Sequence, residues 1–428
     1  MKGTDLHNEM GKIDDKLVQE AENTKRLNKR PAALRWGALA ACAALVVCGV
    51  FGVFGGKGAG IDPVAAAQYP QSYAYDDYEG RDKVRKENPV DETFYEAMDQ
   101  FAYRTFAQFL SQEGENKLYS PVSLYYALSL AATGAQGQTQ EEILFLLGIN
   151  DEELLAEQCG NLYRYLYLDN DISKLRVANS LWMAEEFGGK KVNYKKDFLD
   201  SGVKNFYASL YTVDFGDSET GKAMGKWVSD NTNGTLEPSI PTDAQQLLSI
   251  LNTVYFADQW TSQFSAELTK KDAFTLSGGD QVECDFMNSI QMSQSFARGS
   301  NFTRSALGLK SGAKMVFVLP DQGSSVKDLL TSPESLAQAF EGGEEYRGQV
   351  NWKVPKFTYG TSMKLTDSLK QLGIPTAFGE TADFSGISDQ PAFISNVSQE
   401  TYIAIDENGV EASAFTQIEV NGSSMPVD

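Results

Sequence analysis

The stretch that decides the fold is DENGVEASAFTQIEVNGSSMPVD, Asp406 to Asp428. From Val410 onward its residues alternate between two faces. One face carries Val410, Ala412, Ala414, Thr416, Ile418 and Val420, and the other carries Glu411, Ser413, Phe415, Gln417, Glu419 and Asn421. Successive side chains of a β-strand point to opposite faces, so this pattern predicts a strand roughly 36 Å long with one face that can be buried.

The length and the net charge of the chain limit which classes of protein it can belong to. The chain has 428 residues, enough for one large domain or two ordinary ones, and a formal net charge of -21. A surface of this sign repels phosphate backbones, so the composition predicts that nucleic acid is not a partner.

The residues that usually carry catalysis are scarce. The single histidine, His7, lies in a polar N-terminal segment. This excludes Ser-His-Asp and Cys-His catalysis and any histidine-bearing metal site, and no spacing singles out a catalytic carboxylate pair. We therefore predict no enzyme activity, no metal and no cofactor. Cys159 and Cys284 are isolated and favour buried free thiols, although a disulfide between them stays open.

The N-terminal region predicts a membrane anchor. Residues 1–35 are polar and end in a basic cluster, and residues 36–56 (WGALAACAALVVCGVFGVFGG) carry no charge over 21 positions. Such a run can cross about 30 Å of hydrocarbon, and the preceding basic residues place residues 1–35 in the cytoplasm and the rest outside the cell membrane. A cleaved signal peptide and lipid attachment at Cys42 are the alternatives.

The remaining sequence divides into a linker and a globular part. Residues 57–89 are rich in Gly, Ala, Tyr and Asp and predict an extracytoplasmic linker. From residue 90 onward, helical patterns come first and strand patterns later, which predicts an α+β fold. In the first half, Ser120 and Pro121 mark a helix start, and Thr139 with Glu142 predicts a capping box before a stop at Gly148.

Ordered sequence blocks in residues 90–428 resemble the serpin family, the serine protease inhibitor fold. The blocks are NKLYSPVSLYYALSLAATGAQGQTQEEI, VANSLWM, WVSDNTNGTL, LLSILNTVYFADQW, MVFVLPD, VPKFTYGTSMKLTDSLKQLGI, FSGIS and IAIDENGVEASAFT. The resemblance implies one domain with three β-sheets and about nine helices, here preceded by one transmembrane helix. The chain thus resembles a membrane-anchored serpin of bacterial type.

The resemblance also implies a mechanism. An inhibitory serpin exposes a reactive loop as bait, and after cleavage the loop inserts as a new strand in the largest sheet and distorts the bound protease. Here the loop corresponds to residues 409–426. The hinge positions implied are Glu407, Gly409, Val410, Glu411, Ala412, Ser413 and Ala414.

By the same resemblance, the cleaved bond lies between Ser423 and Ser424. A small uncharged residue before this bond fits a protease with a shallow primary pocket, so the expected partner is an elastase-like or subtilisin-like serine protease. Ser423 would supply the carbonyl that becomes an ester on the protease serine, which requires no general base in the serpin.

Other positions match the family unevenly. Ser120, Ser123 and Asn252 correspond to a polar cluster under the centre of the main sheet, where Ser120 could equally be a helix N-cap. The family usually has a histidine where this chain has Gln399, which places the energetics of sheet opening in question. Trp260 corresponds to a tryptophan near the insertion site, for which packing is the favoured role.

The sequence departs from the family after the reactive bond, where serpins normally continue for some thirty residues. We expect a C-terminally truncated serpin fold, with a gap in the second sheet that another segment could fill. A shortened sequence of an inhibitor, a partner in the form of a separate C-terminal segment, and a non-inhibitory surface binding protein are the three readings.

Overall fold

The computed structural model describes residues 61–110, 116–276 and 279–423. The predicted cytoplasmic segment, residues 1–35, and the predicted membrane helix, residues 36–56, lie outside these residues. Among the residues described, no helix combines the length and the apolar character needed to cross a membrane.

The described residues contain ten α-helices, against about nine expected. They are α1 (Tyr78–Glu87), α2 (Glu92–Leu110), α3 (Pro121–Ala132), α4 (Gly137–Leu147), α5 (Glu152–Leu166), α6 (Lys196–Asn205), α7 (Ser218–Asn231), α8 (Val326–Leu329), α9 (Pro333–Glu341) and α10 (Thr366–Gln371). Two short 3-10 helices cover Ala266–Leu268 and Thr376–Phe378.

Fourteen strands are described. They are β1 (Leu168–Asp169), β2 (Lys174–Ala184), β3 (Glu186–Phe187), β4 (Lys190–Lys191), β5 (Ala208–Val213), β6 (Gln246–Gln259), β7 (Lys270–Thr275), β8 (Gln281–Arg298), β9 (Phe302–Gly308), β10 (Lys314–Pro320), β11 (Glu344–Pro355), β12 (Phe357–Lys364), β13 (Ala392–Ile405) and β14 (Gly409–Gly422).

These strands form two large sheets and one small hairpin. The main sheet has seven strands in the order β1-β2-β6-β14-β13-β12, with β5 pairing with β2. The second sheet has five strands in the order β10-β9-β8-β11, with β7 pairing with β8, and β3 pairs with β4. The α+β class is therefore correct, and the described residues form three sheets of seven, five and two strands.

The predicted C-terminal strand lies inside the main sheet. β14 runs antiparallel to both neighbours and forms thirteen residue pairs with β13 and thirteen with β6. Its backbone groups therefore find partners on both sides, which a strand inserted in the middle of a sheet requires.

Both faces of β14 are covered, whereas the alternation predicted one buried face. The apolar face carries Thr416, whose hydroxyl contacts Ser123 on α3. On the other face Phe415 is 2 % exposed and Ser413 bonds to Thr235 in the segment after α7. The prediction underestimated this burial because a strand enclosed between two layers no longer needs alternating polarity.

Helix α3 forms the layer behind the main sheet. Every residue from Ser123 to Ala132 is buried, as expected for a helix that is apolar on all sides. The predicted start is confirmed, because Pro121 is the first helical residue and the Ser120 hydroxyl accepts a hydrogen bond from the Ser123 amide.

The predicted capping box of α4 is wrong, although its stop is confirmed. Gln136 is the N-cap and Gly148 ends the helix in the left-handed conformation, with φ 77°. Thr139 instead accepts a hydrogen bond from the Asp383 amide, and Glu142 accepts two from Thr376. Both side chains bond to residues that are distant in the sequence, so neither caps α4.

The segment predicted as a linker, residues 57–89, contains regular secondary structure in its described part. Val64 and Ala65 pair with Leu210 of β5, and residues Tyr78–Glu87 form α1, capped by Asp77. The sequence concealed α1 because none of its residues is buried, so apolar periodicity is absent.

The two described cysteines are free thiols, which resolves the alternative of a disulfide. Cys159 is fully buried and Cys284 is partly buried. Burial raises the pKa of the Cys159 thiol to about 12, so it is protonated and unreactive at neutral pH.

Candidate functional site

A central polar cluster lies between α3 and the middle of the main sheet. It consists of Ser123, Asn252, Gln399 and Thr416, all fully buried. The Ser123 hydroxyl donates to Asn252 Oδ1 at 2.6 Å and lies 2.7 Å from the Thr416 hydroxyl. Buried polar groups are stable only when bonded, so each member depends on the others.

Gln399 connects this cluster to the start of α3. Its Nε2 donates to Thr416 Oγ1 at 2.9 Å and to the Ser120 carbonyl at 3.0 Å, while its Oε1 accepts from the Ser120 amide at 2.7 Å. An amide can donate and accept at once without carrying charge, so glutamine satisfies this position where the family usually has histidine. The members of the cluster do not titrate at ordinary pH.

The structure thus brings together the four residues predicted for this cluster, Ser120, Ser123, Asn252 and Gln399. Ser120 takes part through its backbone, while its side chain caps α3. Two residues bonded to the predicted ones, Thr416 and Asn179, were not predicted as site residues. Thr416 could have been found, because it is the one hydroxyl on the otherwise apolar face of β14. Asn179, whose Oδ1 accepts from Asn252 Nδ2 at 2.8 Å, gave only the weak signal of an amide within the buried strand β2.

The turn from β13 to β14 is held by two carboxylates. Asp406 Oδ1 accepts from the amides of Asn408 and Gly409 at 2.7 and 3.1 Å. Glu407, predicted as a hinge residue, accepts from Lys356 Nζ and from the Thr269 hydroxyl, each at 2.7 Å. These two hydrogen bonds, the one from Lys356 first, hold the pKa of Glu407 below its usual range.

Gly409 is required for a reason other than hinge freedom. Its backbone passes so close to β6 that a Cβ atom would lie 1.9 Å from the Asp258 carbonyl oxygen. Any larger residue would have to push β14 and β6 apart at the first residue pair of the inserted strand.

The other predicted hinge residues all lie within β14. They are Val410, Glu411, Ala412, Ser413 and Ala414. Glu411 accepts a hydrogen bond from the Tyr255 hydroxyl at 2.7 Å, and burial together with this bond raises the pKa of Tyr255. The small residues Ala412, Ser413 and Ala414 fit between β6 and β13 without displacing either strand.

Trp260, predicted near the insertion site, lies directly after β6. It is 1 % exposed, packs edge-on against Phe264, and its indole N–H donates to the Asp406 carbonyl at 2.9 Å. It therefore anchors the turn through which the chain enters β14.

The predicted reactive bond lies at the opposite end of β14 from this turn. Ser423 follows the strand directly, and its amide donates to the Pro391 carbonyl at 2.8 Å. Ser424 lies outside the described residues. In this arrangement the residue before the bond lies beside the beginning of β13, far along the strand from the hinge.

The side chains of the central polar cluster form neutral hydrogen bonds. The cluster supplies neutral hydrogen-bonding groups, and within the described residues no group of three or more His, Cys, Asp or Glu could hold a metal. The strand that occupies the site, β14, is held there by hydrogen bonds and apolar contacts.

The Thr416 hydroxyl should contribute measurably to stability. Replacing Thr416 by Val keeps the shape but removes partners from Ser123 and Gln399, so we expect a loss of about 1–3 kcal/mol in the free energy of unfolding, measured in urea. Thr358→Val, at an exposed position of β12 in the same sheet, is the control and should change little. Equal losses in the two variants would contradict this role.

Glu407 should make stability depend on pH. Because its pKa is lowered in the folded state, its contribution is present above the unfolded pKa of about 4.3 and is lost as pH falls through the folded value. Urea unfolding should show wild type more stable than Glu407→Gln at pH 7, with the gap in the free energy of unfolding closing as pH falls below about 4.3. The exposed Glu267→Gln is the control, and a gap independent of pH would refute the assignment.

Comparison with known proteins gives the family. Residues 96–428 match the family model described as "Serpin (serine protease inhibitor)". An uncharacterized serpin-like protein of Methanosarcina acetivorans is 28% identical over 72% of this chain and 73% of its own length. Alpha-1-antiproteinase 2 of Equus caballus is 27% identical over 81% and 83%.

A solved structure has the same architecture. The thermophilic serpin tengpin in the latent state is 26% identical, covers 77% of this chain and 90% of its own, and superposes with a TM-score of 0.69. The family match spans more than half of the chain. The chain belongs to the serpin family, whose members are generally protease inhibitors and not themselves enzymes.

Proposed function

We propose that this protein is a suicide inhibitor of an elastase-like or subtilisin-like serine protease. The observation that carries the proposal is the fit of β14, residues Gly409–Gly422, between β6 and β13. A reactive loop must be able both to stand in solvent and to occupy a buried strand position, and residues 410–421 of this segment meet the second requirement with backbone partners on both sides.

The inhibitory reaction would proceed in two stages. The protease serine attacks the Ser423 carbonyl carbon, the bond to the Ser424 nitrogen breaks, and Ser423 is held as an ester on the protease. Insertion of β14 then buries Phe415, Ile418 and Val420, each worth about 1.5–3 kcal/mol when fully buried, and adds backbone pairs on both sides. That free energy is what would pull the bound protease along the sheet.

The residues beside the cleaved bond determine the proposed target. Ser423 offers neither a cation to a trypsin-like aspartate nor a large apolar group to a deep pocket. A protease with a shallow primary pocket accepts such a residue, and this favours the elastase-like and subtilisin-like classes.

A specific observation favours a second candidate, a non-inhibitory surface binding protein on the serpin scaffold. In the structure β14 already occupies the sheet, and the Ser423 amide is bonded to Pro391. A chain that stays in this arrangement would not present the bond to a protease. The two candidates differ in whether the loop leaves the sheet before it meets a protease.

We further propose that the serpin domain is anchored at the outer face of a cell membrane. The support is the uncharged run of residues 36–56 and the basic residues before it, which favour an N-terminus in the cytoplasm. An anchored inhibitor would protect the cell surface from proteases in the surroundings.

Complex formation with a protease distinguishes the inhibitor proposal from the alternative of a non-inhibitory surface binding protein. Incubation of the full chain with pancreatic elastase or subtilisin should give a complex that survives boiling in detergent, detected as a larger band on a gel. Thr416→Arg places a charge in the buried cluster, so insertion should fail and the loop should be cleaved as substrate. Thr358→Arg, exposed on β12, should still form the complex.

The outcomes separate the two candidates. Ser423→Glu should abolish the complex with these proteases, because a carboxylate does not suit a shallow apolar pocket. Cleavage of wild type without any stable complex, or no cleavage at all, would refute the inhibitor. If the protease leaves the chain uncleaved and β14 stays in the main sheet, the result would support the surface binding protein.

A partner strand is proposed at the edge of β10. Among the described residues β10 pairs only with β9, and its Val316 and Leu319 are 37% and 69% exposed. An unpaired edge with exposed apolar side chains can accept another strand, here a separate serpin C-terminal segment.

Peptide addition tests the partner strand. A synthetic peptide with the sequence of a serpin's C-terminal strands should raise the melting temperature of the full chain and bind saturably, because it covers this edge. A scrambled peptide of the same composition is the control. Equal effects of the two peptides would refute a specific strand site.

A further inference from the structure

A cavity of about 860 Å³, here called the N-terminal cavity, lies between residues 66–88, here called the N-terminal segment, and residues of the family-matching part of the chain, here called the serpin body. Its walls come from residues 66–73, α1, the end of α5, β1, β2 and the end of α6. The volume is in the range of small-molecule sites. Residues 66–88 precede the family match at residue 96, so one wall of this cavity is outside the part of the chain that matches the family.

The charge of the N-terminal cavity opposes that of the chain. Arg81, Arg85 and Arg164 contribute to its lining together with Lys204, which pairs with Asp200 outside the lining, and none of the described lining residues is Asp or Glu. The chain as a whole carries -21. A concave site lined by one sign of charge concentrates ligands of the opposite sign, so this cavity would attract anions.

Arg164 is held in place by neutral partners. Its Nε donates to Asn88 Oδ1, Nη1 donates to the Tyr207 hydroxyl at 3.0 Å, and Nη2 donates to Asn161 Oδ1 at 2.6 Å. The ion pairs between described residues do not include Arg164, Arg81 or Arg85. A guanidinium has five N–H donors and stays charged, so Arg164 keeps a fixed charge and two N–H groups for a ligand.

Tyr207 is strained in the position that supports Arg164. Its φ is 54°, in the left-handed region that costs an aromatic residue about 1–2 kcal/mol. Its ring stacks on Tyr163 with centroids 4.2 Å apart, and its hydroxyl accepts from Arg164. Strain of this kind persists where the surroundings fix a conformation, and ligand sites are common examples.

The rest of the lining is apolar and aromatic. Tyr167 stacks on Tyr69 with centroids 6.1 Å apart, and Leu175, Val203 and Phe256 contribute apolar surface. Such surface favours the flat or aliphatic body of an organic molecule over a bare inorganic ion.

We propose that the N-terminal cavity binds an amphipathic organic anion. Its carboxylate, sulfonate or phosphate group accepts hydrogen bonds from Arg164, with Arg85 nearby, and its apolar body lies against the tyrosines and Leu175. Because residues 66–73 form a wall, the bound molecule ties the N-terminal segment to the serpin body. This site does not depend on the inhibitor proposal.

A matched pair of fluorescent probes tests the site. 8-Anilinonaphthalene-1-sulfonate carries the anionic group, and N-phenyl-1-naphthylamine has the same rings without it. The full chain should bind the sulfonate at one saturable site at least about tenfold more tightly than the neutral probe, and the sulfonate should raise the melting temperature.

Variants assign the binding to this cavity. Arg164→Gln should weaken the sulfonate at least about tenfold, and Arg85→Gln, at an exposed residue over the Tyr165 ring, should weaken it about two- to fivefold without disturbing the fold. Arg298→Gln is the control, because Arg298 also lies over aromatic rings but outside the cavity. Unchanged affinity in both test variants, or equal binding of the two probes, would overturn the proposal.

Discussion

The hydrogen bonds of Thr416 are the interaction on which the centre of this molecule depends. Its hydroxyl lies between Ser123 on α3 and Gln399 on β13, and Ser123 in turn bonds to Asn252 on β6. Each neighbour of β14 and the helix behind the sheet therefore meet at one side chain of the inserted strand. If β14 were absent, Ser123 and Gln399 would need new partners, because unpaired buried polar groups are costly.

A strand in the middle of a sheet must be compatible with two neighbouring strands and with the layers on both of its faces. β14 has backbone partners on two sides, the cluster and α3 on one face, and Phe415 buried with Ser413 bonded on the other. The entrance is equally defined, since Gly409 leaves no room beside Asp258 and Glu407 is bonded to Lys356 and Thr269. In the proposed mechanism, this complete set of partners is what would let insertion drive inhibition, and in the alternative it is what would keep an inserted chain inactive.

The family relationship covers the serpin body, and the N-terminal cavity lies at its border. Its opposite charge, the neutral partners of Arg164 and the strain of Tyr207 are independent observations at one place. β14 lies in the middle of the main sheet, and Ala65, which directly precedes the wall segment 66–73, pairs with Leu210 of β5. The proposed ligand site and β14 therefore both adjoin the main sheet.

The sequence by itself determined the α+β class, the family resemblance, the start of α3 and the strand character of residues 410–421, because these follow from side-chain order and spacing. It also named Ser123, Asn252 and Gln399, through the family pattern. Only the tertiary structure decided that β14 lies between β6 and β13 with both faces buried, that Thr139 and Glu142 serve tertiary contacts, and that the supposed linker forms α1 and a cavity wall. Such facts depend on which distant residues meet, and local periodicity carries no information about that.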